Sequence, residues 1–283
     1  MIVSCFSKNL LEKQKMRRRE KGERDMPPHI EFNITGLKGI TVSGDTYSFS
    51  VGNLENIKVV KLILDNGDIV GVRVTFSDEI VIDDPLIFAA QNTVELFIMN
   101  IIGNLDADVL GLDISIGNIN NPNLPPQEGP LKVHSSICLS CSVSIVHGYS
   151  INRYKTLFTS IPTTSEKKDA FFITNTIMKI DNIAIRYLMQ YELLMSLVSP
   201  GRKQKEVTEF IQNKYNPTLT FNQIGFHPTR RPGKTFDEDD ITYYRNILAH
   251  NDSSTMPEGF EKIIPTMSKA INRVLFFVFD QMD

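Results

Sequence analysis

The sequence predicts a two-domain α+β protein, with an antiparallel β-sandwich or barrel over residues 29–160, a linker over 161–169 and a four-helix bundle over 170–283. Two observations carry this expectation. At 283 residues the chain exceeds one average domain. Its apolar residues alternate with period two in the first half and recur every three or four residues in the second, the spacings of half-buried strands and of amphipathic helices.

In the first half, Ile30, Phe32 and Ile34 alternate with polar neighbours, as do Tyr47, Phe49 and Val51. Residues 58–76 form the clearest hairpin. Two runs rich in Val, Ile and Leu flank Asp65-Asn66-Gly67-Asp68, whose Asn-Gly supplies the positive φ of a tight turn. Further strands are expected at 79–82, 94–102, 109–116 and 133–146, with the Pro-rich piece 121–130 as a loop. Regular strands without long helical patterns between them favour a sandwich or barrel.

In the second half, Pro162 and the polar run Thr163 to Lys168 mark the linker. Ile177, Ile180, Ala184, Tyr187, Tyr191, Leu194, Met195 and Val198 then trace one long helix that stops at Pro200-Gly201. Val207, Phe210 and Ile211 place a shorter helix over 203–215, and a loop over 216–235 follows. Ile241, Tyr244 and Leu248 define a helix from about Asp237. Phe260, Ile263, Ile264, Met267, Ile271, Val274 and Val278 define the last, with an irregularity at Pro265. Four helices that each carry an apolar stripe are expected to pack as a bundle.

Composition narrows the function classes. Hydrophobic residues at 41% and charged ones at 22% exclude a largely disordered or collagen-like chain. Three cysteines cannot build a disulfide framework, which points to the reducing cytoplasm. No run approaches the roughly 18 consecutive apolar residues of a membrane span, so no membrane partner is expected. The net charge of −3 divides unevenly: +8 and −4 over residues 1–25, +7 and −14 over 26–164, and +15 and −15 over 165–283. An acidic β half repels nucleic acid, whereas the helical half does not. Residues 1–28 read as a disordered basic tail, with a nucleic-acid arm as the functional alternative. Met26 is an alternative translation start, because Lys21-Gly22-Glu23 can encode a purine-rich ribosome-binding sequence just upstream.

Several candidate sites reduce to structure. Cys138 and Cys141 are spaced as a redox or zinc pair, yet on an alternating strand their sulfurs point to opposite faces and no second pair completes a site. The run Asp237-Glu238-Asp239-Asp240 suits the cap of a helix better than a metal site. His29, His134 and His147 stand alone. No metal or cofactor is expected.

Arg245-Asn246-Ile247-Leu248-Ala249-His250 is different. It joins a permanent cation, an amide and a side chain that titrates near neutrality, with Asn246 and His250 one turn apart on the same stripe of a helix. Such a trio suits a phosphodiester: Arg binds phosphate oxygens, Asn orients and His moves a proton. Two basic clusters, Arg202, Lys203 and Lys205 and then Arg230, Arg231 and Lys234, offer a track for an RNA backbone, and Phe226 and His227 beside the second offer stacking surfaces.

The string Tyr244-Arg245-Asn246-Ile247-Leu248-Ala249-His250-Asn251 resembles the signature of HEPN domains, small helical bundles whose motif is Arg, a polar residue and, after four to six intervening residues, His. The resemblance covers about residues 165–283 and not the β half. It implies a metal-independent endoribonuclease that dimerises through the bundle, with His250 in acid-base catalysis, Arg245 on the scissile phosphate and Asn246 supporting their geometry. The RNA 2′-hydroxyl is then the nucleophile and the product a 2′,3′-cyclic phosphate. A β-rich domain before a HEPN bundle is also similar in architecture to bacterial anti-phage defence proteins, which suggests phage defence or toxin-like growth arrest. The acidic β half then senses a trigger or binds a protein partner. The alternative is a non-catalytic HEPN-like binding module. In a third reading the β half carries the function, although the absence of Trp weakens a sugar-stacking surface.

Overall fold

The computed structural model describes residues 26–54, 56–105, 107–123, 147–221, 223–228, 237–250 and 259–282. In chain order the elements are β1 (His29–Lys38), β2 (Ile40–Ser43), β3 (Ser48–Leu54), β4 (Ile57–Asp65), β5 (Asp68–Phe76), α1 (Asp84–Asn104), β6 (Asp108–Asn120), β7 (His147–Ser150), α2 (Ile151–Thr159), α3 (Ser165–Met178), α4 (Ile183–Val198), α5 (Gln204–Phe210), β8 (Phe226–Pro228), β9 (Asp237–Asp239), α6 (Asp240–His250) and α7 (Phe260–Phe279). They divide between two compact units. The first comprises residues up to Thr35, Gly39–Glu95 and Asp113–Ser160; the second comprises Gly36–Lys38, Leu96–Leu112 and Ile161–Asp283.

The first unit is built on a five-stranded sheet of order β3-β4-β5-β1-β6. Asn66 and Gly67 adopt positive φ of 50° and 90°, so β4 and β5 close as the expected tight hairpin with Asp65 opposite Asp68. Period-two alternation sends one cross-strand row, Phe49, Val60, Val74 and Ile30, into the core and its neighbour, Ser48, Lys61, Arg73 and Glu31, to the other face. Arg73 pairs with Glu31 within that second row. A parallel pair, β2 with β7, leads into α2, whose Tyr154 hydroxyl donates to the Thr41 carbonyl at 2.9 Å while Phe158 packs edge-on against Phe49.

Among the described residues the half is therefore mixed, with antiparallel strand pairs beside the helices α1 and α2, rather than all β. Residues 94–102 lie in helix α1, not in a strand. A segment buried on every side has no polar face to reveal its period, and length decides: the helix extends over 21 residues, with Asp83 Oδ1 accepting from Leu86 N at 3.0 Å at its start. Residues 93–102 are all buried. α1 is long and apolar enough to cross a membrane, and 61% of its most apolar window is buried inside the protein, as in a core helix. Residues 79–82 are also not a strand. Side-chain amides take the carbonyls of Ile80 and Ile82 and of the preceding Asp78, with Asn123 donating to Asp78 and Ile80 and Asn121 to Ile82 at 2.7–2.8 Å. β6 extends the expected 109–116, and the expected strand at 133–146, with Cys138, Cys141 and His134, lies outside the described residues, as does the basic tail up to residue 25. His29 is buried, with Nδ1 2.9 Å from the Pro27 carbonyl, and His147 is exposed on β7.

The second unit is organised around α4, against which α3, α5, α6 and α7 all pack. Two boundaries differ from expectation. The linker ends early, because α3 starts at Ser165. The single long helix over 177–198 is two helices: the chain breaks after Met178, and Asn182 starts α4 by accepting from Ala184 N and Ile185 N at 3.0 and 3.1 Å. The apolar period runs through the break because both helices bury the same side. α5 continues as a π turn over Ile211–Tyr215 and a 3₁₀ turn over Asn216–Thr218. α7 carries Pro265 within its first two turns without ending.

A buried polar network sets the register of α4 against α7. Gln190 Nε2 donates to Asn272 Oδ1 at 2.6 Å, and Ser268 Oγ donates to Gln190 Oε1 at 2.7 Å. A one-residue slip would leave these amides unpaired in a low-dielectric core. Gly103 lies against α7 with no room for a side chain, since a Cβ there would overlap the Phe276 ring. Gly103→Ala is therefore expected to destabilise the protein by about 1–3 kcal/mol, read as a fall in thermal midpoint. Relief of that loss by a second change, Phe276→Leu, would locate the strain at this contact.

Candidate functional site

α6 starts where β9 ends. β9 pairs with β8, Phe226 opposite Asp239 and His227 opposite Glu238, so residues 237–239 form a strand and the helix begins at Asp240 rather than Asp237. Sheet pairing takes these backbone groups before the helix can. Asp239 is fully buried and caps the helix, with Oδ1 accepting from Thr242 N at 2.9 Å. Its Oδ2 accepts from the hydroxyls of Thr208 on α5 and Thr242 at 2.7 and 2.6 Å. Burial raises the Asp239 pKa, and these hydrogen bonds only partly oppose the shift.

Two tyrosines of α4 grip the same turn. The Tyr187 hydroxyl donates to the Ile241 carbonyl at 2.6 Å, and the Tyr191 hydroxyl lies 3.1 Å from Thr242 Oγ1. Because the single Thr242 hydroxyl proton goes to Asp239, Tyr191 is the donor in that pair. Burial, the largest cause, pushes both phenols well above their ordinary range, so both stay protonated donors.

This frame holds the motif. The Arg245 guanidinium lies 5.4 Å from the Tyr191 ring centroid, a cation–π distance, and its NH2 group pairs with Glu192 Oε1 at 2.9 Å. Its NH1 group is 3.4 Å from Asn246 Oδ1. Asn246 in turn exchanges hydrogen bonds with Gln204, Gln204 Nε2 donating to Asn246 Oδ1 at 2.8 Å, and donates to the buried Glu238 at 3.3 Å. His250 is exposed in the last turn of α6. It follows Asn246 by one turn but stands about 140° around the cylinder from Arg245. Among the described residues no hydrogen bond joins His250 to either. The structure thus brings Arg245 and Asn246 together and leaves His250 accessible at the end of the same helix.

The first basic cluster sits beside this frame, because Gln204 lies between Lys203 and Lys205 at the start of α5. Arg202, Lys203 and Lys205 are exposed, and the two lysines pair with Glu206 and Glu209 at 3.7 and 3.5 Å. Arg230, Arg231 and Lys234 lie outside the described residues. Among the described residues no three potential metal ligands converge.

Sequence reasoning missed Glu192 and Gln204 as parts of the site, whereas Asp239 belongs to the acidic run expected to cap this helix. Glu192 left a trace, as the lone acidic residue in the sixteen of α4. Gln204 left none, because its role depends on a contact with Asn246 across 42 positions of sequence. The first unit holds a separate open pocket of about 650 Å³, lined by Tyr47, Lys61, Asn66 and the Glu31–Arg73 pair among others. No protein-family model, curated protein or solved structure matches the chain.

The Asp239 carboxyl predicts a pH dependence. Its pKa is raised on folding above the ordinary 3.8, so the folded state holds a proton that the unfolded state has released. Stability is expected to fall as pH rises from that ordinary value through the raised one. In Asp239→Asn this decline in the urea midpoint should be absent, and an equal decline in both proteins would assign it to another group.

Proposed function

We propose that the chain is a HEPN-type, metal-independent endoribonuclease, with Arg245, Asn246 and His250 as its site. The observation that carries the reading is the placement of the motif: Arg245 and Asn246 are in contact on one helix, and His250 is exposed one turn beyond. The packing of α5, α6 and α7, and also of α3, on α4 is compatible with the helical bundle of such a domain. The RNA 2′-oxygen attacks the neighbouring phosphorus and gives its proton to a His250 imidazole. The bond to the 5′-oxygen breaks, and that oxygen takes a proton from the His250 of a second copy. Arg245 offsets the added charge on the phosphoryl oxygens. The product is a 2′,3′-cyclic phosphate.

A homodimer follows from this need for two imidazoles, and the bundle has a surface suited to it. Ile173 on α3 and Ile185 and Met189 on α4 are about half exposed, an apolar outward face next to Glu192. The pocket of the first unit is where this reading places the trigger or partner that controls cleavage in phage defence or growth arrest.

A second reading has its own observation. Arg245 Nε is buried with no acceptor among the described residues, NH2 is held by Glu192, and the Asn246 amide is occupied by Gln204 and Glu238. On that basis the trio is a structural clasp and the bundle a non-catalytic binding module. Cleavage of RNA by the chelator-treated full chain separates the two. The nuclease reading expects His250→Ala and Arg245→Ala each to lower kcat by about a hundredfold or more with the thermal midpoint of His250→Ala unchanged. Undiminished cleavage in His250→Ala, or no metal-free cleavage by wild type, supports the clasp.

A further inference from the structure

β8 and the first turn of α6 build an aromatic feature that the cleavage chemistry does not use. The His227 ring stacks on Tyr243 with centroids 4.3 Å apart and planes at 24°. Its Nε2 pairs with Asp240 Oδ1 at 2.5 Å, and Asp240 Oδ2 accepts from Gly225 N at 2.9 Å. A Cβ at Gly225 would stand 2.8 Å from that carboxylate oxygen, so glycine is what lets the backbone come this close. The imidazole is thereby fixed in plane and tilt by three anchors: a ring below, a carboxylate at its edge and the β8–β9 hairpin. Its side chain nevertheless remains 38% exposed.

Tyr244 stands edge-on to the stack, 6.1 Å from His227 and 5.3 Å from Tyr243, and lies 6.2 Å from Phe260, with burial raising its pKa. Tyr243 lies on another stripe. It precedes His250 by seven positions, about 20° around the helix and about 10 Å along it. The stacked pair and the exposed histidine therefore share one face of α6. The distance between them matches about three steps of a stacked nucleic-acid strand.

We infer that the His227–Tyr243 stack is a base-binding platform that takes one unpaired base of single-stranded RNA within about three nucleotides of the phosphate at which His250 moves a proton. A fixed imidazole plane offers a base a π-face with little ordering cost, and such stacking recognises single strands while leaving paired bases inside a duplex out of reach. The inference rests on the ribonuclease reading for the identity of the ligand.

The test measures binding of the full chain to a short fluorescent 2′-O-methyl oligoribonucleotide, whose blocked 2′-oxygen prevents cleavage. His227→Ala and Tyr243→Ala are each expected to raise the single-strand Kd roughly tenfold or more, the effect of losing one stacked base. His227→Phe, which keeps a flat ring and lacks the contact with Asp240, should retain most of the affinity. One abasic position in the oligonucleotide should reproduce the loss with unaltered protein, so the outcome does not hang on folding of a variant. A duplex of the same sequence should bind all forms alike. Unchanged Kd in both alanine variants, an equal loss on duplex, or a His227→Phe loss as large as His227→Ala each overturns the platform. Ring-dependent binding without cleavage of natural RNA overturns the nuclease reading alone, whereas His250-dependent cleavage with ring-independent binding overturns the platform alone.

Discussion

The helical unit depends on a demand that buried hydroxyls and carboxylates share: each must find a partner, because water cannot reach it. Tyr187 and Tyr191 meet that demand on the first turn of α6, and Asp239 meets it on Thr208 and Thr242. Only one register of α4, α5 and α6 satisfies all of them at once. The Tyr191 ring then lies under Arg245 as a consequence, and Asn246 comes within reach of Gln204. The Arg245–Asn246 stretch of α6 is thus placed by polar groups that hold its first turn.

How legible this was depended on the range of the interaction. The β4–β5 hairpin could be read because Asn66-Gly67 states its turn locally, and the Arg245 to His250 string because its residues share one helix. α1 could not, since burial on every side removes the amphipathic signal that separates helix from strand. The break between α3 and α4 was hidden for a related reason, as the apolar spacing continues across it and only Asn182 marks the new start. The strand at 237–239 was masked by acidic residues that also make good helix starts, and its partner β8 is three residues long. Glu192, Gln204 and Glu238 gather around the motif from separate elements, which no local pattern announces.

The neighbourhood of Arg245 is unusual for a group assigned to bind phosphate, because the cation is already matched. Glu192 on its exposed side, itself 42% accessible, is the partner an incoming anion would displace. An exposed ion pair is worth little in water, so such an exchange costs little. The Tyr191 ring beneath stays in either state, and it keeps the guanidinium from swinging away. On the proposed reading, holding Glu192 and gripping phosphate are two positions of one side chain on a fixed base.

The composition of the second unit also orders events during synthesis. Residues 96–112, including the apolar end of α1, are completed by residues 161–283, which leave the ribosome much later. At ordinary elongation rates the delay is on the order of ten seconds. For that time the C-terminal half of α1, from Leu96 on, has only residues 36–38 and 96–112 of its own unit to pack on. Nascent chains in this state are natural clients for chaperones that shelter apolar segments, and the yield of folded protein should track how fast the C-terminal helices follow.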